Sequence, residues 1–114
     1  MQDFALLALL RKKDKIMLID VRSAEEFAAQ RMTTIGGNNI PANLISDWLE
    51  YITEKAESGL YIMPCCYRVR SIRQQNAYEY LEENLPEYLV GKLIYFDKPV
   101  IDLKNIGIDN YPCL

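Results

Sequence analysis

The residues best equipped for chemistry lie in one run, Tyr61-Ile-Met-Pro-Cys65-Cys66-Tyr67-Arg68-Val69-Arg70-Ser71-Ile72-Arg73. Adjacent thiols followed by arginines suit nucleophilic attack on an anion. The thiolate is the reactive form of cysteine. Three effects would favour it here: inward-turned backbone N–H groups around a loop, the positive end of the helix that follows, and the charge of Arg68, Arg70 and Arg73. The same groups form a receptor for a tetrahedral oxyanion such as sulfate, thiosulfate, phosphate or arsenate. A thiolate facing that receptor would attack the anion's central atom or accept its outer sulfur. The competing reading is structural. Cysteine is among the most buried residue types, and arginines on a helix's first turns commonly form a solvated face. Placement shifts the balance towards function, because ligand sites in open α/β sheets lie beyond the carboxyl ends of the strands.

The chain contains no histidine. That removes the commonest general base and the commonest metal ligand together. A Ser-His-Asp hydrolase, a His-assisted thiol protease and a His-rich metal site are excluded, and neither a cofactor nor a metal is expected. The cysteines are Cys65, Cys66 and Cys113. An odd count with two neighbours is no disulfide framework, and a Cys65–Cys66 bridge would strain the peptide between them. Three thiols without a Cys-x-x-Cys pair also make a poor zinc site. Thirteen Lys and Arg against sixteen Asp and Glu leave a charge of −3, which disfavours a broad basic face for nucleic acid. No apolar run reaches the length of a bilayer span and no signal-peptide pattern opens the chain, so no membrane partner is expected and the cytoplasm is the default setting.

The elements that must position the cysteines follow from periodicity. With 114 residues, half of them hydrophobic, the chain is expected to be one domain over 1–114. A short helix over Asp3–Leu10 is predicted, then a strand over Lys15–Val21 apolar enough to be buried on both faces. Ser23-Ala-Glu-Glu26 supplies a capping box for a helix to about Gln30. Arg31–Asn39 reads as loop, with Gly36-Gly37 and two Asn residues as turn formers. Leu44, Ile45, Trp48, Leu49, Ile52 and Ala56 mark an amphipathic helix that Gly59 ends. Leu60–Met63 is a second strand, its ladder stopped by Pro64. A polar loop over Cys65–Arg70 leads to a helix over Ser71–Asn84 with Ala77, Tyr78, Leu81 and Leu85 on one face. A third strand is expected over Lys92–Phe96 and a short helix over Val100–Asn105. Strands separated by helices imply an α/β domain: a mainly parallel central sheet with helices on both faces.

Several of these segments resemble a known family. Leu18-Ile-Asp-Val-Arg22, then Glu25-Glu26-Phe27, then Asn39-Ile40-Pro41 resemble the opening signature of rhodanese-like domains, the single-domain sulfurtransferases and the related cell-cycle-control phosphatases and arsenate reductases. Cys65 to Ser71 resembles the family's active loop, keeping the first Cys and the final Arg-Ser at the same spacing. Ile94-Tyr95-Phe96 and Ile101…Lys104-Asn105-Ile106-Gly107 are similar to its last strand and closing helix. The resemblance implies a rhodanese-like three-layer fold, with Cys65 as the nucleophile that becomes a persulfide or a thiophosphate-type adduct and Arg70 as its anion clamp or loop anchor. Cys66 is the alternative nucleophile. The loop groups of Cys66, Tyr67, Arg68, Val69 and Ser71, with Arg73 and Arg31, would bind substrate. Asp20, Arg22 and Glu26 would be structural, Arg22 pairing with Glu25 or Glu26.

The chain also departs from the family text. Cys66 replaces the loop's first arginine and Arg68 its glycine; Arg31 stands at the usual His, and Lys98-Pro99 at the usual Gly-Gly. The phosphatase signature, Cys then five residues then Arg, fits neither cysteine, although Cys66 with Arg73 misses it by one. The Cys65–Arg70 spacing favours the tighter ring that suits sulfur transfer. The resemblance therefore implies first a sulfurtransferase taking sulfane sulfur from a thiosulfate-like donor to a thiol acceptor. A phosphatase or arsenate reductase comes second, and a catalytically silent interaction module third. Cys113, after Pro112, is placed where it could resolve a persulfide or disulfide on Cys65, but a tail thiol without a role is the preferred reading. The tyrosines are read as an amphipathic core edge, with Tyr67 alone placed to line a pocket mouth.

Overall fold

The computed structural model describes residues 4–30, 36–66, 72–96, 101–108 and 111–113. Its elements run in chain order α1 (Phe4–Arg11), β1 (Ile16–Asp20), α2 (Ala24–Gln30), β2 (Asn38–Asn39), α3 (Leu49–Glu57), β3 (Tyr61–Cys65), α4 (Ile72–Asn84) and α5 (Ile101–Asn105), with 3-10 turns at Lys13–Lys15, Ala42–Trp48 and Glu87–Lys92. The strands form one parallel sheet in the order β2-β1-β3. All five residues of the central β1 are buried, as expected of a strand covered on both sides. The domain is α/β.

Side chains on a strand alternate between faces with a period of two, and that repeat sorts the core. Ile16 and Leu18 of β1, with Met63 and Cys65 of β3, pack against Leu10, Phe96, Leu103 and Ile108 on the face carrying α1 and α5. Met17 and Ile19 of β1, with Ile62 of β3 and Cys66 just beyond it, pack against Ile45, Ile52, Ala77 and Leu81 on the face carrying α3 and α4. The two adjacent cysteines therefore lie on opposite faces of the sheet.

Pairing in β3 does not stop at Pro64. Pro64 stands opposite Ile19, and Cys65 opposite Asp20. The carbonyl of Cys65 accepts from the Val21 amide at 3.0 Å, while that of Ile62 accepts from Ile94 on the other side at 2.9 Å. Odd-numbered residues of β3 thus address β1, and even-numbered ones face away from it. The N–H that Pro64 lacks would point away from β1, so the ladder loses no bond.

Other expectations change for local reasons. The third strand over Lys92–Phe96 shrinks to a single bridge, Ile62 to Leu93, because a 3-10 turn carries the chain through Lys92. The helix expected from Leu44 starts as a 3-10 turn and becomes α-helical at Leu49; its tighter winding buries Ile45 and leaves Leu44 and Trp48 about 40% exposed. Asn38–Asn39, read as loop, forms β2. The residues before it explain why glycine is needed there. Gly37 has φ +84°, and a Cβ on it would sit 2.7 Å from Leu18 Cδ2 and 2.8 Å from the Leu18 carbonyl oxygen. Gly37→Ala should therefore lose about 2 kcal/mol or more, from the left-handed backbone and the clash with β1 together. Gly91→Ala, with nothing within 4 Å, should change stability by less than about 0.5 kcal/mol. Urea denaturation of the two variants checks the contrast; equal losses would contradict it.

Candidate functional site

The site is built where β1 and β3 end, beginning with a buried corner at Asp20–Arg22. Arg22 Nε donates to both carboxylate oxygens of Asp20 at 3.0 Å, and Nη2 donates to Oδ2 at 2.7 Å. The Arg22 amide donates to Oδ1 at 3.0 Å. Both residues are under 10% exposed. Burial alone would push the Arg22 pKa down, but its hydrogen bonds with Asp20 and the attraction of that carboxylate outweigh burial and raise it. The Asn39 side-chain amide closes the corner, donating to the carbonyls of Asp20 at 3.0 Å and Arg22 at 2.9 Å. Arg22 pairs with Asp20, where the family resemblance implied Glu25 or Glu26. The strand ends one residue before Val21, and the turn folds Arg22 back over the carboxylate two residues earlier.

That leaves Glu26 for another task. The Ser23 amide donates to Glu26 Oε1 at 3.0 Å, and the Glu26 amide donates to Ser23 Oγ at 3.2 Å, a reciprocal capping box that starts α2. Glu26 also accepts from Arg73 on α4: Nη1 to Oε1 at 2.8 Å and Nη2 to Oε2 at 3.3 Å. These hydrogen bonds, Arg73 first, bring the Glu26 carboxyl down to about 2. The pair ties the start of α2 to the start of α4 across the end of the sheet.

The cysteines occupy two environments. Cys65 is fully buried, and its thiol donates to the Ile19 carbonyl at 3.4 Å. Burial, then the negative charge of Asp20, push this thiol well above the ordinary cysteine value; only Arg22 pulls the other way. The sequence led us to expect a thiol made acidic by its surroundings at Cys65, and the described surroundings act in the opposite sense. The reason is the pairing through Pro64, which keeps Cys65 in the ladder and turns it into the α1–α5 core. Cys66 is 2% exposed and packs on the α3–α4 face in the cluster that holds Val21 and Ala77. The guanidiniums of Arg22 and Arg73 are raised first by their hydrogen bonds with Asp20 and Glu26 and to a lesser degree by charge on Cys66, which lies within electrostatic reach of both. Cys113 is exposed, with its sulfur 3.2 Å from Asn38 Oδ1, and none of the three cysteines is in a disulfide. Tyr67, Arg68, Val69, Arg70 and Ser71, and Arg31, lie outside the described residues.

Beside this arrangement is a cleft of about 430 Å³ between the β1–α2 corner, the turn at 41–43 and α4. Arg73 lines it, with Ser23, Asn43 and Asn76 as further polar groups. Neither asparagine was among the site residues expected from the sequence. Asn76 was legible in principle, because three residues on from Arg73 is the next position on the same helix face. Asn43 had no such signal, since a turn between β2 and α3 carries no periodicity to aim it.

No protein-family model matches the chain, and neither a curated protein nor a solved structure matches it.

The contrast between the thiols has a direct readout. In the native protein at neutral pH, iodoacetamide should alkylate Cys113 and leave Cys65 unmodified, while denaturant should open all three to labelling. Peptide mapping checks the order. Modification of Cys65 as fast as Cys113 would contradict the buried, protonated thiol.

Proposed function

We propose that this chain is a rhodanese-like sulfurtransferase domain that carries sulfane sulfur on Cys66. The observation that supports the reading is the position of Cys66: just past the carboxyl end of β3, on the α4 face, with Arg22 and Arg73 in electrostatic reach. The nucleophile proposed here is Cys66, because Cys65 is committed to the opposite core. In the first half-reaction the Cys66 thiolate attacks the outer sulfur of a thiosulfate-like donor. The new S–S bond forms as the donor's S–S bond breaks, and sulfite leaves with the electron pair. In the second, a thiol or cyanide attacks the outer sulfur of the persulfide and regenerates the Cys66 thiolate. Three cysteines outside any disulfide suit a reducing compartment, and the proposed setting is the cytoplasm.

A second reading, a catalytically silent rhodanese-like interaction module, is favoured by burial. Cys65 is fully buried and Cys66 nearly so, and Arg22 and Arg73 are engaged by Asp20 and Glu26. One experiment separates the two. The chain is incubated with thiosulfate, and its intact mass is measured before and after cyanide. Sulfur transfer requires a gain of one sulfur atom that cyanide removes, that maps to Cys66, that is lost in Cys66→Ser and that is kept in Cys65→Ala. No gain on any cysteine would leave the silent module. A gain on Cys65 would overturn the choice of nucleophile.

A further inference from the structure

The two ion pairs at the sheet's end differ in kind, and the difference assigns a role to the cleft beside them. Asp20 and Arg22 are buried and joined through three side-chain hydrogen bonds, so that pair is a fixture. Glu26 and Arg73 are nearly half exposed, with side chains 47% and 42% accessible, and their two hydrogen bonds are unequal. Exposed pairs of this sort are weak and exchangeable. Arg73 is also the charged group among the cleft's lining residues. Its guanidinium fork, which matches two oxygens of a carboxylate or sulfate, already grips such a group in Glu26.

We infer that this cleft is a binding site for a small oxyanion, a carboxylate or a sulfate-like group, and that Glu26 is a built-in competitor for Arg73. The ligand's oxygens take the guanidinium fork in place of Glu26, while Ser23, Asn43 and Asn76 supply a hydroxyl and amide donors. About 430 Å³ suits a small molecule. Glu26 can yield Arg73 without unwinding α2, because Oε1, which it shares between Arg73 and the Ser23 amide, keeps the Ser23 bond and the Glu26 amide keeps its bond to Ser23 Oγ. Glu26 thereby sets the threshold for entry: a ligand binds only if it satisfies Arg73 better than the resident carboxylate does. The inference rests on the sulfurtransferase reading only for the physiological ligand, which would be the sulfur donor.

Sodium sulfate, which has no sulfane sulfur to transfer, is the probe. It is titrated against sodium chloride at constant ionic strength, with the side-chain amides of Asn43 and Asn76 followed by NMR. Glu26→Gln should tighten sulfate binding about tenfold. Glutamine still completes a capping box, so its thermal melt should match the wild type. Arg73→Gln should abolish binding, and Arg73→Lys, which keeps charge without the fork, should weaken it. Equal sulfate affinity in wild type and Glu26→Gln, or wild-type affinity in either Arg73 variant, would overturn the inference. Sulfate binding that responds as expected in a protein forming no persulfide would retire the sulfurtransferase reading alone. Persulfide formation with sulfate affinity indifferent to Glu26 would retire this inference alone.

Discussion

The pairing of β3 with β1 as far as Cys65 governs the rest of the arrangement. A strand offers successive residues to opposite faces, so wherever pairing persists, neighbours in sequence are separated by the thickness of the sheet. Pro64 is compatible with this because its missing donor faces away from β1. Cys65 is thereby fixed in one core and Cys66 directed to the other. Had the ladder ended at Met63, the backbone would be free to turn at Pro64, and both sulfurs could share one loop. The chemical difference between the thiols is a consequence of register.

Electrostatics follows the same geometry. The charge nearest Cys65 that matters most is a carboxylate, Asp20, its register partner on β1, and burial acts in the same sense. On the α4 face the charges within reach of Cys66 include the guanidiniums of Arg22 and Arg73. Each guanidinium has a carboxylate of its own. Arg22 is locked to Asp20 inside the protein, and Arg73 is tied to Glu26 at the surface. Only the second is exposed to solvent, and this makes the cleft beside α4 the place where an incoming anion can alter the charge balance around the sheet's end.

Much of this was legible in the sequence where one interaction dominated. The apolar run ending in Leu18-Ile-Asp-Val marks a buried central strand, Ser23 and Glu26 spell a capping box that forms as spelled, and Gly59 ends α3 with φ +108°. The expectations that fail depend on tertiary choices. Whether Pro64 breaks a strand depends on which side its nitrogen faces, which the sequence does not contain. Arg22 had carboxylates on both sides in the chain; the turn after β1 selects Asp20. Lys92–Phe96 has strand composition, yet a 3-10 turn uses up its first residue and leaves a lone bridge. The cysteine pair was visible as a chemical feature, but its division between two cores depends on where pairing ends.

Amide hydrogen exchange at Val21 tests that pairing most directly, because this N–H donates to the Cys65 carbonyl at 3.0 Å. Exchange as slow as that of amides within β1, requiring near-global unfolding, is the result the account predicts. Fast exchange at Val21 beside a protected β1 would mean that the ladder ends before Cys65. The separation of the two thiols, and the choice of Cys66 built on it, would then be wrong.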